Sequence, residues 1–191
     1  MMRQLLYAAT AALLLPALSA AKDEAPKAAD NPFRNAKVGD WAKYSVTTKV
    51  MGMDIEGTVK MVVTAKDDKS VTMKATPTFN GMELPGQEQK IDLTKPYDPA
   101  GAGGQLPKGT DAKTKKVGEG KEKIKVGGKE YATTWMKIKV EAKVMGNEFK
   151  SDVKVWMSKD VPLGGVVKME MKSNIADMTM ELKEFGKGKK E

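Results

Sequence analysis

Methionine is the residue through which this sequence is best equipped to do chemistry: it has 14 methionines and neither histidine nor cysteine. The pairs Met51/Met53, Met169/Met171 and Met178/Met180 are spaced Met-x-Met, and on a strand that spacing sets both thioethers on one face. Soft thioethers select Cu(I). Met51, Met53, Met169, Met171, Met178 and Met180 are therefore the candidate ligands of an exported Cu(I)-binding protein. The same side chains also suit an irregular apolar interior, which a flexible thioether fills well.

Without imidazole or thiolate the chain can build no Ser-His-Asp triad, no Cys-His pair and no zinc site of those ligands. It also lacks a Gly-x-Ser-x-Gly elbow, a phosphate-binding Gly-x-x-x-x-Gly-Lys-Ser/Thr loop and an EF-hand calcium loop. The carboxylate pair Asp67-Asp68 falls between two apolar stretches, where Asp ordinarily makes a turn. The expectation is a protein that is not an enzyme and carries no cofactor.

Lys and Arg total 33 against 25 Asp and Glu, and 31 of the 33 are Lys. Bidentate recognition of bases favours Arg, so no nucleic acid partner is expected. An anionic surface is one partner that the charge favours. Lysines alternating with apolar residues equally serve to keep sheet edges from pairing with other chains.

Arg3, an apolar run over Leu5–Leu18 and small residues at Ser19, Ala20 and Ala21 make a secretory signal peptide over residues 1–21. The run is shorter than the roughly 20 residues a spanning helix needs. The destination is periplasmic or secreted, and without cysteine the fold must hold by packing rather than disulfides. Residues 22–37, rich in Ala, Lys, Asp and Pro, read as a flexible leader, and 187–191 as a polar tail.

Between them, 38–186 reads as one β domain. Ala42, Tyr44, Val46, Thr48 and Val50 alternate with polar residues, and the same period of two recurs around Val59, Val71, Ile91, Ile124, Ile138, Val153, Met169 and Met180. That period marks strands with one buried face. Asn80-Gly81 and Gly127-Gly128 are hairpin signals, because both positions of a type I′ turn need positive φ. Residues 94–120, with three prolines and a Gly-rich patch, read as a long loop acting as a lid or as a tolerated insertion. Trypsin is expected to cut there first, after Lys108, Lys113, Lys115 or Lys116.

The most informative pattern is an internal repeat. Residues 41–63 align without a gap to 135–157 at an offset of 94, with nine of 23 positions identical, including Trp41/Trp135 and the tetrapeptide Lys-Val-Met-Gly at 49–52 and 143–146. Each copy is a hairpin with one apolar face. An isolated hairpin cannot bury that face, so the copies must share a core. The fold expected is an all-β antiparallel meander of about nine strands, a curved sheet or half-barrel in which the copies hold equivalent places. Its core is expected to include Tyr44, Val46, Val59, Met61, Met136, Ile138, Val140, Val153, Val155, Met169 and Leu182.

The segment Val155-Trp156-Met157-Ser158 to Val161-Pro162-Leu163-Gly164-Gly165-Val166-Val167-Lys168-Met169, a Trp-bearing strand, a Pro-Gly turn and a returning strand, resembles exported bacterial half-barrel proteins of the lipoprotein-carrier type, or a related secreted β family. The resemblance implies a carrier of a lipid or other apolar small molecule, and the chain is expected to be a monomer. It would be held in a slot on the apolar face, lined by Tyr44, Val46, Met61, Met136, Ile138, Met157 and Met169. No helix to plug the slot and no arginine to contact a ligand is recognisable. The alternative is an envelope or surface interaction protein without a pocket.

Overall fold

The computed structural model describes residues 31–50, 52–95, 112–144 and 147–188. The period-two segments become ten antiparallel strands: β1 (Trp41–Val50), β2 (Met53–Lys66), β3 (Ser70–Phe79), β4 (Met82–Glu83), β5 (Gln87–Asp92), β6 (Ala112–Val126), β7 (Lys129–Val144), β8 (Asn147–Met157), β9 (Val166–Ser173) and β10 (Asp177–Gly186). They form one open sheet ordered β4-β3-β2-β1-β10-β9-β8-β7-β6, with β5 also paired to β3. Two 3-10 turns, Pro32–Asn35 and Leu163–Gly165, are the helical segments among the described residues. None of these residues belongs to a helix long and apolar enough to cross a membrane.

Hairpin chemistry follows the turn residues. Asn80 and Gly81 take φ of 49° and 76°, and Gly127 and Gly128 take 57° and 82°, the left-handed pairs that a two-residue turn between twisted strands requires. The sheet is curved. Lys129, beside the β6–β7 turn, lies 5.7 Å above the ring of Phe185 in β10, although β9, β8 and β7 separate β10 from β6 in the sheet.

The repeat is visible as a repeated register. Trp41 faces Val62 and Val50 faces Met53 in the first copy; Trp135 faces Trp156 and Val144 faces Asn147 in the second, each number 94 higher. The correspondence extends to a third strand, since Met61 faces Ala75 and Val155 faces Met169. It includes the neighbouring strand as well. β10 bulges between its pairings with Lys43 and Tyr44, and β6 bulges between its pairings with Lys137 and Ile138, again 94 apart. The sheet is thus two equivalent four-strand units, β3-β2-β1-β10 and β9-β8-β7-β6. The last strand of the chain supplies the first unit with what β6 supplies to the second.

Both units share one outer-face device. Trp41 faces Gly186 on β10, and Trp135 faces Gly120 on β6. Each indole lies across its glycine, so that a Cβ at Gly120 would sit 2.9 Å from Trp135 and one at Gly186 would meet the Trp41 indole nitrogen. A lysine covers each ring: Lys60 at 5.1 Å from Trp41 and Lys154 at 4.5 Å from Trp135. Lys43 and Lys60 face one another, as do Lys137 and Lys154. A cation over an indole face is attracted by it, which offsets the repulsion of these like-charged pairs.

The inner faces make one core. Tyr44, Val46, Val59, Met61, Met136, Ile138, Val153, Val155, Met169 and Leu182 are all buried, with Val140 partly buried against them. Two expectations are corrected. The loop foreseen over 94–120 ends by Ala112, because 112–120 pairs with β7 as an edge strand; Lys113, Lys115 and Lys116 lie within it. An edge strand with most side chains in solvent carries no apolar alternation, so the pattern hid it. The leader foreseen over 22–37 is packed from Asn31: Phe33 is 1% exposed in the core, and Asn31 Nδ2 donates to the carbonyls of Asp92 and Lys95. A lone phenylalanine has no period to betray it. In the tail, the Gly188 amide donates to Asp40 Oδ1 at 2.7 Å. The signal-peptide reading and residues 96–111, with Lys108, lie outside the described residues.

A methyl group at either glycine must displace an indole, and overpacking of this kind costs ~1–3 kcal/mol. Gly120→Ala and Gly186→Ala should each lower stability by about that amount in urea unfolding. Trp135→Leu should relieve much of the cost of Gly120→Ala but not that of Gly186→Ala. Equal, additive losses in all combinations would show that the rings do not lean on these glycines.

Candidate functional site

At the end of the sheet where β1 begins and β8 and β10 finish, the loop 158–165 stands over the mouth of the curve. Its shape comes from backbone conformations few sequences tolerate. Leu163, Gly164 and Gly165 have φ of 57°, 80° and 79° in succession, and Gly165 also approaches Ser158 so closely that a Cβ would lie 2.5 Å from its carbonyl oxygen. The two ends are tied by the Ser158 amide, which donates to the Gly165 carbonyl at 2.8 Å. A branched residue at positive φ is strained. Leu163 is held there by burial, being 1% exposed.

A cleft of about 840 Å³ lies between this loop, the 32–40 segment and Gly188. Its walls are of two kinds. Ala36, Met157, Val161, Pro162 and Leu163 supply apolar atoms, while Lys37, Lys159 and Lys187 stand around them with Asp40 and Asp160. Asp40 is buried, and its carboxylate accepts from the Lys37 amide at 2.8 Å and from Gly188, tying the segment before β1 to the segment after β10 at the rim. A second hollow of about 540 Å³ shares Thr134, Met157, Ser158, Lys159 and Asp160 and continues to Lys121, Glu122 and Lys123. Met157 thus lies at the join.

Glu122 closes that side. Trp156 Nε1 donates to Glu122 Oε1, and Lys154 Nζ reaches the same oxygen at 3.1 Å. These two hydrogen bonds, with the Trp156 contact the stronger cause, hold the Glu122 carboxyl below the ordinary glutamate range. Lys154 lies over both Trp135 and Trp156, at 4.5 and 4.3 Å, so the ring faces it covers are occupied from within the protein.

Of the seven residues expected to line a slot, Met157 lines both hollows. Tyr44, Val46, Met61, Met136, Ile138 and Met169 are packed among core side chains at 5% exposure or less. Burial pushes the Tyr44 phenol far above its usual range, and its hydroxyl donates to the Val166 carbonyl at 3.3 Å. The methionines divide. Met171 faces Met178 and Met169 faces Met180 across β9 and β10, so four thioethers gather on one patch of the core. Met53 is 63% exposed at the β1–β2 turn, remote from that patch in register. Met51 lies outside the described residues. Lys159, Asp160, Asp40 and Glu122 were not singled out by type or spacing; the only sequence signal for this site was the segment 155–169 itself.

No protein-family model and no curated protein matches the chain. Among solved structures, a Bacteroides fragilis protein described as exported, with a YmcC-like fold, is similar at a TM-score of 0.54 and 11% identity, over 81% of this chain and 99% of that one. A protein described as a lipoprotein, from Parabacteroides distasonis, gives 0.48 and 10%, over 81% and 98%. LprF from Mycobacterium bovis gives 0.32 and 10%, over 87% and 97%. The first of these shows a shared fold.

The Glu122 contacts carry a pH signature. A carboxyl whose folded pKa is depressed contributes stability above its unfolded value of about 4.3, and loses it as pH falls through the folded value. Glu122→Gln should therefore be less stable than the parent at neutral pH, with the two urea midpoints converging as pH drops below about 4. A difference that stayed constant with pH would mean that the Glu122 charge is not what Trp156 and Lys154 hold.

Proposed function

We propose that the protein is an exported, non-enzymatic binding protein that takes an amphipathic, anionic small molecule in the mouth cleft, its apolar part against Met157 and Val161 and its acidic head among Lys37, Lys159 and Lys187. The observation that carries this reading is the composition of the cleft: apolar side chains beside three lysines and two aspartates, one of which, Asp40, is engaged by backbone amides, with a volume in the range of small-molecule sites. Export is supported by the N-terminal sequence and by the shared fold of an exported Bacteroides fragilis protein. The non-enzymatic part rests on the sequence, which has no histidine or cysteine.

A second reading, an envelope interaction protein without a ligand, is favoured by the filled core. Six of the seven residues expected to face a lipid are instead packed against other side chains. A long acyl chain therefore has no room along the inner face where these residues lie.

Native mass spectrometry of protein purified from its own host should reveal a bound organic acid, and a dansyl-labelled fatty acid of medium chain length should bind with a blue shift. Met157→Lys should weaken that binding at least tenfold, and Lys159→Glu with Lys187→Glu by several-fold, with circular dichroism unchanged. A clean apo spectrum together with no dye binding would favour the second reading.

A further inference from the structure

We propose that β6 and the adjoining face of β7 form a track for a linear polyphosphate chain. The track adjoins the second hollow at Lys121 and Lys123 and runs from there along β6 and β7, away from Lys37, Lys159 and Lys187. β6 ends the sheet order, so one side of it bonds to β7 and the other is hydrogen-bonded to no strand among the described residues, although β10 approaches its end near Gly127. Along it stand Lys113, Lys115, Lys116, Lys121, Lys123 and Lys125, and β7 adds Lys137 and Lys139. The run from Lys113 to Lys125 covers roughly 40 Å at strand rise.

Keeping an edge from pairing with other chains would account for some lysines. It does not account for their placement. Three of the lysines face a carboxylate across the ladder, Lys113 to Glu141, Lys125 to Glu130 and Lys139 to Asp152, but Lys115 directly faces Lys139, and like charges placed so destabilise a sheet. Lys168, by contrast, is neutralised, lying 3.1 and 3.0 Å from Glu170 and Glu181. On the track, Lys116 pairs with Glu119 and Lys123 with Glu130. Among the described residues no carboxylate lies within ion-pair distance of Lys113, Lys115, Lys121, Lys125, Lys137 or Lys139. The stability lost to repulsion there would be recovered by an anionic partner.

The geometry favours a polymer over a membrane. The bulge between the Lys116 and Gly118 pairings keeps Lys113 and Lys115 on the face that carries Lys139, while Lys116, Lys121, Lys123 and Lys125 fall on the other by alternation. Charges on both sides of an edge can be met together by a flexible chain that follows the strand. A flat bilayer meets one side.

The test is binding of long-chain inorganic polyphosphate to the mature protein by titration calorimetry across a salt series. Neutralising about four phosphates implies a loss of affinity on the order of fifty-fold between about 50 and 200 mM salt. Lys115→Gln, Lys125→Gln and Lys139→Gln combined should cut affinity at least tenfold and flatten the salt slope. The triple change removes the Lys115–Lys139 repulsion together with the cross-strand attractions of Lys125 to Glu130 and Lys139 to Asp152, so its urea midpoint should stay close to that of the parent. The control triple Lys69→Gln, Lys74→Gln and Lys90→Gln, on the β3–β5 side, removes the same charge and should leave binding within twofold. Equal losses in both triples would overturn the proposal in favour of net charge alone. Absence of binding at about 150 mM salt, near the physiological screening length, would overturn it outright. Tighter binding to vesicles of phosphatidylglycerol and phosphatidylcholine, with the same dependence on the β6 lysines, would replace the polymer by a membrane.

Discussion

The structure depends on where its last strand goes. β10 lies between β1 and β9, and among the described residues no other strand joins the two four-strand units. Without it both β1 and β9 would become open edges facing an unfilled gap, and neither unit alone could bury its inner face. The seam is reinforced from within. Tyr44 on β1 reaches past β10 to the Val166 carbonyl at the start of β9, an interaction a fully buried phenol needs, since an unpaired buried hydroxyl is costly. The four methionines Met169, Met171, Met178 and Met180 lie along the β9–β10 border. Here the curved inner faces of two units meet, and an adaptable side chain can fill the irregular space between them.

Duplication explains why β10 can serve this way. The place beside β1 is geometrically the place beside β7, with the same bulge and the same glycine under a tryptophan. β6 and β10 meet that shared requirement with different sequences. β10 is central, so its Met178, Met180 and Leu182 face the core; β6 is terminal and carries lysines. What the position demands of both is a backbone that bulges once and a residue without Cβ where the indole crosses. The rest of each strand is free to follow its surroundings.

This contrast marks what could be read in advance. Period two identified β1 to β3 and β7 to β10, because each has one face in the core and the alternation reports that directly. It passed over the first half of β6, where the indole of Trp135 over Gly118 and Gly120 replaces a row of buried side chains. It passed over Phe33 for a related reason, since a single buried ring in a 3-10 turn has no repeat. The apolar face was assigned correctly residue by residue, yet its assignment as a slot lining did not follow. Alternation says which side chains leave water, but whether they meet a ligand or one another depends on sheet curvature and on what loops cover the ends. The mouth cleft was hidden for another reason: Asp40, Lys37, Lys159 and Lys187 come from segments far apart in the chain, brought together by the start of β1 and the ends of β8 and β10.

The filled core and the strained loop are connected. A curved sheet without a helix to plug it must fill its concavity with its own side chains, and interiors tolerate few voids larger than a water. That drives Leu163 and Phe33 inward as stoppers at the mouth, where a Cβ on Gly164 would lie 3.2 Å from the Phe33 ring. Leu163 can be buried only if the backbone turns sharply, which sets three successive residues at positive φ and costs conformational energy at the one that is not glycine. The same turn carries Met157 to Gly165 along one wall of the cleft. Packing the interior and opening a site at its end are therefore one event in this fold. The small, lysine-ringed hollow at the mouth takes the position that a long apolar slot would have required the core to surrender.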